Sequence, residues 1–438
     1  MIRVAEDQHR FVITNHHIVL DGWSVPVLLR EIFATYYGRR LTAPPPYRSF
    51  ITWLAGRNLD DARAVWREVF DGFDTPTLVG PPDRLGLGRR NVESFLVPEQ
   101  TTCAVTELAR SRHITVNTVL QAAWAQLLMW LTGRHDVVFG AVVSGRPAEV
   151  AGAESMVGLL INTVPVRARI TLTTTTAGLL DQLQRAHNDT LEHQHLPLSD
   201  IHRITGHDRL FDTVLVYENY PIDTADISSV DGVGITQLTV RDYYHYPLAV
   251  QAVPGRELDL RVQYRTDVFD AASIEILMGR FKAILAAMTA DPTRPLSSMD
   301  LHDASQRLPA NEPCDGAALD SGDGHREPAN LVEEILADIF AQILAVDRVG
   351  VDESFFDLGG DSLSAMRAVA AISEAMDVEL AVRDLFDAPT VRGLSLRMGR
   401  HSILVEEISS TDELDSQAEL GPRRFEAVHV RKAPRRRQ

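Results

Sequence analysis

Apolar positions recur along this chain with two different periods. Leu28, Leu29, Ile32, Phe33 and Tyr36 fall on one face of a predicted helix that Ser24 can cap and Gly38 can stop. Leu59–Phe70 reads as a second amphipathic helix, followed by a Pro/Gly-rich loop over Asp71–Gly88. Val116–Thr132 is apolar on most sides, through Val119, Leu120, Ala123, Trp124, Leu127, Leu128 and Leu131, and is expected to be a central buried helix. Residues 10–14 (RFVIT) predict a short buried strand running into Asn15-His16-His17. Further strands are predicted at Val137–Val143, Thr163–Ile170, Thr213–Tyr217, Tyr246–Val253 and Leu258–Tyr264, with helices over Ala177–Glu192 and Ala271–Ala290. Helices and strands mix without a regular βαβ period, which favours an α+β layered domain over a Rossmann fold.

From Leu301 the pattern stops. Residues 301–330 are rich in Pro, Gly, Asp and Ala and carry no period, as a linker does. Leu331–Leu344 resumes as an amphipathic helix, and the region to about Gly399 reads as a compact four-helix unit in which acidic residues outnumber basic ones. The polar tail after Arg400 ends in RKAPRRRQ and has the composition of a disordered segment. No internal repeat is evident.

Composition narrows the classes. The 438 residues suffice for two to four domains. A formal charge of −17 argues against a nucleic-acid partner, which would need a basic stripe to displace phosphate counterions. Two cysteines, Cys103 and Cys314, form neither a CxxC nor a disulfide framework and suit a reducing compartment. No apolar run is long enough to cross a bilayer, and the first residues lack a signal-peptide apolar region. A cytoplasmic protein without membrane partners is expected.

The first candidate site is Gly359-Gly360-Asp361-Ser362-Leu363, directly before a predicted helix that runs to Met376. Two glycines permit a sharp turn, and a serine at a helix start keeps its hydroxyl available beside the positive helix end, a favourable place for an anion. An ordinary Gly-Gly turn with a serine cap reads equally well from these residues alone. The wider segment VGVDESFFDLGGDSLSAMRAVAAI, with LAVRDLF and the short helix after Pro389-Thr390, resembles the peptidyl carrier domains of nonribosomal peptide synthetases. The match covers about residues 329–399, including Phe355, Phe356, Asp357 and Leu358. It implies 4′-phosphopantetheine attached to Ser362, flanked by Asp361 and Leu363, with a thiol that carries aminoacyl or peptidyl groups as thioesters. It also implies a phosphopantetheinyl transferase as a partner.

The second is His16-His17-Ile18-Val19-Leu20-Asp21-Gly22-Trp23-Ser24. Histidines adjacent at a strand end point to opposite faces, so at most one readily faces a given cavity. A histidine can accept an amine proton near neutral pH, and an aspartate in the turn can anchor it by ion pairing. A pair of satisfied core histidines is a competing reading. A metal site lacks a second spaced ligand pair, since His193 and His195 in LEHQHLPL read as surface residues. A Ser24 hydrolase lacks a GxSxG elbow.

HHIVLDGWS resembles the signature of nonribosomal peptide synthetase condensation domains, whose fold is similar to chloramphenicol acetyltransferase. Gly145–Arg167, with its Asn162-Thr163 pair, LEHQHLPLSDI and LFDTVLVYENYP resemble later motifs of that family, over about residues 8–300 in all. Trp23-Ser24 and Asn162-Thr163 favour condensation over epimerisation, and the first histidine departs from heterocyclisation domains. The resemblance implies that His17, with His16 before it, is the base or positioning group for an attacking amine. Gly22 would place backbone polarity near the thioester carbonyl, and Asp21 would hold the loop through an arginine. The implied partners are an upstream donor carrier and other synthetase modules.

Two departures shape the expected organisation. Only fifteen residues precede His16, so residues 1–300 are expected to carry a partial N-terminal lobe and a full C-terminal lobe. Asp21 then needs another partner, such as Arg146. No adenylation domain separates this region from the linker (301–328), carrier (329–400) and tail (401–438), so an adenylation enzyme would act in trans. Three readings stay open: an amide-forming synthetase subunit, a non-catalytic carrier with a condensation remnant, and a stand-alone acyltransferase using His17.

Overall fold

The computed structural model describes residues 2–5, 9–80, 89–218, 244–298 and 330–398, the last stretch without 345, 357, 359, 361, 377 and 379. Part of the Asp71–Gly88 loop, the 301–328 linker and the 401–438 tail thus lie outside the described residues.

A six-stranded mixed sheet organises the larger region. Its strands are β3 (Arg90–Val97), β4 (Asp136–Val143), β5 (Asn162–Arg169), β6 (Thr213–Tyr217), β7 (Leu248–Val253) and β8 (Leu258–Arg265), in the order β3-β8-β7-β6-β4-β5. β4, β6 and β7 run parallel, and the other pairings are antiparallel. The predicted strands after residue 135 therefore all form, within a residue or two.

One sheet face is covered by helices. α5 (Val116–Thr132) is buried almost all round, with Trp124 and Leu128 fully inaccessible, as its unbroken apolar pattern requires. The Thr115 hydroxyl accepts the Thr118 N–H at 3.2 Å to start it, and Gly133 in the left-handed region (φ 67°) ends it. α4 (Glu99–Ser111), α6 (Thr176–Thr190) and α8 (Ala271–Ala290) pack beside it to complete this core. Each large apolar side chain so buried contributes roughly 1.5–3 kcal/mol. α3 (Leu59–Val69) and α7 (Leu198–Thr205) pack on the other face around Trp66, Val138, Val164 and Phe211.

The N-terminal expectations need correction. Among the described residues β1 (Ile2–Arg3) pairs only with β2 (His9–Arg10), and 11–16 is not a strand. Phe11 and Val12 are more than half exposed, so RFVIT is not a buried strand. A buried strand needs a ladder partner and a covering layer, and among the described residues none meets this run. α1 (Ser24–Tyr36) does form, followed by Gly38 at φ 67°, but Ser24 is its first residue rather than its cap. The Asp21 carboxylate takes that role by accepting the Ser24 N–H at 2.9 Å. α2 (Tyr47–Ala55), α4, α7 and β3 add to the predicted elements.

The C-terminal region holds α9 (Leu331–Leu344), α10 (Ser362–Met376), α11 (Val382–Asp387) and a helix over 391–398, the four-helix arrangement that the pattern predicted. Its core joins Leu336, Phe340, Phe355, Ala368, Ile372 and Leu385. The Phe355 N–H donates to the Pro389 carbonyl at 2.7 Å, fixing the loop before α10.

Candidate functional site

The HHxxxDG turn hangs from a buried ion pair. The Asp21 and Arg146 side chains are both fully inaccessible, with Nη2 3.0 Å from Oδ1 and 3.2 Å from Oδ2. Oδ1 also accepts the Ser24 N–H and, at 2.7 Å, the Ser24 hydroxyl, while Oδ2 accepts the Leu160 N–H at 3.0 Å. Arg146 Nη1 donates to the Met156 carbonyl at 2.9 Å and to that of Ala153. The carboxylate is thus saturated with donors, and burial repays its cost through these bonds. Burial pulls the Arg146 guanidinium below its ordinary value, while Asp21 beside it pulls the other way.

The chain around this pair is shaped to let it close. Gly145 has φ +56°, and a Cβ there would sit 1.7 Å from the Leu160 carbonyl oxygen, so only glycine allows Arg146 to turn inward. α2 backs the 150–160 segment: Phe50 packs with Val150, Met156 and Leu160, and the Tyr47 hydroxyl donates to the Leu159 carbonyl at 2.6 Å. Burial first, then the charge of Asp21, raises the Tyr47 phenol above its usual range. Sequence reasoning missed α2, although a proline run followed by Tyr47, Phe50, Trp53 and Leu54 at helical spacing was the signal available.

His16 and His17 are exposed at the rim of this turn. They do not end a strand: the His16 Nδ1 accepts the Ile18 N–H at 3.1 Å within a tight turn, and His17 opens the turn itself. Neither is a core histidine. Gly22 is partly buried between Asp21 and the start of α1. Ser24 is inaccessible, its hydroxyl between the Asp21 carboxylate and the Gly158 carbonyl, which removes it as a nucleophile.

Asn162 opens β5 beside the same loop. Its amide donates to the carbonyls of Gln194 at 2.7 Å and Leu196 at 2.9 Å, tying the sheet to the His193–His195 segment. Those two histidines are partly buried, not surface residues as expected. Trp66 donates to the His193 carbonyl, and Trp53 packs edge-on to His195, which burial holds below the usual imidazole range. Among the described residues no cluster of His, Cys, Asp or Glu is arranged to hold a metal ion. No single helix there is long and apolar enough to cross a membrane; α4 and α5 pass together only as a pair bent by 110°.

At the second candidate site, Ser362 and Leu363 open α10, and Asp361 lies outside the described residues. Gly360 rests against Phe355, where a Cβ would come within 2.3 Å of the ring, and its N–H donates to the Phe355 carbonyl at 3.0 Å. The serine is therefore delivered to the first position of a fifteen-residue helix, whose opening N–H groups have no partners within the helix. This arrangement fits a phosphodiester at Ser362.

With both geometries in place, comparison with known proteins is decisive. Residues 1–307 match the model of the condensation domain. The chain belongs to the condensation-domain family. Residues 334–397 match the phosphopantetheine attachment site, so the C-terminal region is a carrier whose cofactor is a covalent 4′-phosphopantetheine on a serine.

The condensation region is 35% identical over 303 residues to a chondramide synthase of Chondromyces crocatus, covering 67% of this chain and 8% of that protein. It is 34% identical over 317 residues to surfactin synthase subunit 3 of Bacillus subtilis, covering 70% and 25%. The chain thus spans a quarter or less of the length of these two synthetases. Among solved structures, the X-domain from teicoplanin biosynthesis is similar with TM-score 0.56 at 20% identity, covering 65% of this chain and 70% of that one. The first condensation domain of the calcium-dependent antibiotic synthetase gives 0.53 at 23%, covering 65% and 67%. These likenesses establish the layered fold.

Proposed function

We propose that this chain takes part in nonribosomal peptide synthesis, with residues 1–300 forming amide bonds between thioester substrates and residues 329–400 carrying acyl groups on Ser362. The observation that supports this most strongly is the closed Asp21–Arg146 lock, which sets the backbone of the HHxxxDG turn while leaving His17 at its accessible rim. His17 would position the acceptor α-amine and take up its proton. The Gly22 backbone would meet the thioester carbonyl, where negative charge gathers as the C–N bond forms; the C–S bond then breaks, and the donor's thiolate leaves as the thiol with the proton taken from the amine. A thioester is already activated, so placing amine and carbonyl together supplies much of the acceleration.

Ser362, with Asp361 and Leu363 beside it, would hold phosphopantetheine, whose thiol supplies the thioester linkage. Loading would need a phosphopantetheinyl transferase and an adenylation enzyme in trans, and donors would come from the carriers of other modules in the cytoplasm. Incubation with coenzyme A and such a transferase should raise the intact mass of the parent and leave Ser362→Ala unchanged. Failure of the parent to gain mass would overturn the carrier assignment.

A second reading rests on one observation. His16 and His17 face solvent together with Phe11, Val12, Ile18 and Val19. That exposure suits a non-catalytic carrier whose condensation region serves in docking. Supplying charged donor and acceptor carriers separates the two: an amide product supports catalysis, and its absence with fully loaded carriers supports docking.

A further inference from the structure

α6 meets the carrier region through aromatic side chains. Phe386 of α11 packs edge-on to His187 of α6, with ring centroids 6.1 Å apart at 79°. Behind it the rings continue inward. Phe356 stacks on Phe386 at 4.7 Å, Phe355 meets Phe356 at 5.6 Å, and Phe340 meets Phe355 at 4.8 Å. Phe386 and Phe356 are each less than a tenth exposed. Phe355 is also the ring against which Gly360 rests, two positions before Ser362. One row of aromatics therefore joins the condensation surface to the loop that presents the carrier serine.

We propose that the C-terminal part of α6, centred on His187, is a docking seat for this chain's own carrier domain, with Phe386 as the side chain that enters it. The proposal rests on the carrier assignment for residues 329–400 but not on amide formation. Chain length does not force the contact: the residues 299–329 between the two regions could extend across ~100 Å. The contact must therefore be held by its own surfaces. A tethered partner has an effective concentration near millimolar, so a small aromatic contact is enough to populate the seat. The rings supply apolar burial, and their edge-to-face geometry adds a directional preference to it. Burial also pushes the His187 imidazole down to about 4.

His187 itself reports occupancy of the seat. In the full chain labelled with 15N-histidine, its ring should titrate near 4 by NMR. In Phe386→Asp it should return towards the ordinary ~6.5. Because that substitution also faces Phe356, a second preparation keeps the carrier intact: a protease site placed in 301–328 is cut, and the sample is diluted. His187 should then move to ~6.5 on dilution and return on concentration. A parent titrating near 6.5, or a value near 4 that persists after cutting and dilution, overturns the proposal. No step reads amide product, so failure of the condensation chemistry would leave the outcome unchanged.

Discussion

The turn that bears His17 and the loop that bears Ser362 are held by opposite physics. The first depends on a charge pair 125 positions apart in sequence, sealed from water and hydrogen-bonded on almost every side. The second depends on a glycine pressed against one phenylalanine and on the helix that starts immediately after. A buried pair is all-or-none, because removing one partner strands a charge; a packing contact can relax by degrees. His17 sits just beyond its support, exposed at the rim of the turn.

The largest effect should follow from Arg146→Ala, which leaves Asp21 buried without its cation. Denaturant unfolding of the condensation region should show a loss of about 3–5 kcal/mol. Arg146→Lys should recover little of this, since one ammonium cannot serve Asp21 and the Met156 carbonyl together. Gly360→Val comes next. Forcing a side chain into the Phe355 ring should cost the carrier about 1–3 kcal/mol in a melt of the full chain, with the condensation transition unmoved. A smaller change is expected from Tyr47→Phe, which deletes one hydrogen bond to the Leu159 carbonyl: about 0.5–1.5 kcal/mol by the same unfolding measurement. An Arg146→Ala effect no larger than that of Tyr47→Phe would erase the contrast between the two regions.

The same contrast explains what was legible in the sequence. Local patterns disclosed α5, whose apolar residues surround the helix, and the start of α10 after a Gly-Gly turn. They misplaced RFVIT, because an apolar run without a partner looks like one with a partner. They missed β3, where Val92 and Leu96 face outward at more than half exposure and blur the alternation. α2 escaped for a related reason, since Tyr47, Phe50 and Trp53 are residue types common in strands. The Asp21–Arg146 pair has no local signature; it could be reached only by asking which cation would meet a buried carboxylate. The exposure of His17 and the partial burial of His193 and His195 depend on long-range packing that no local pattern contains.

The central claim is that the lock shapes the turn and His17 performs its chemistry. It is tested most directly by comparing amide formation between carrier-bound thioesters in the parent chain and in His17→Ala. Because His17 is exposed, the variant should melt with the parent, while its rate should fall about 10²–10⁴-fold. A His17→Ala chain that melts with the parent and forms amide at the parent rate would contradict the account.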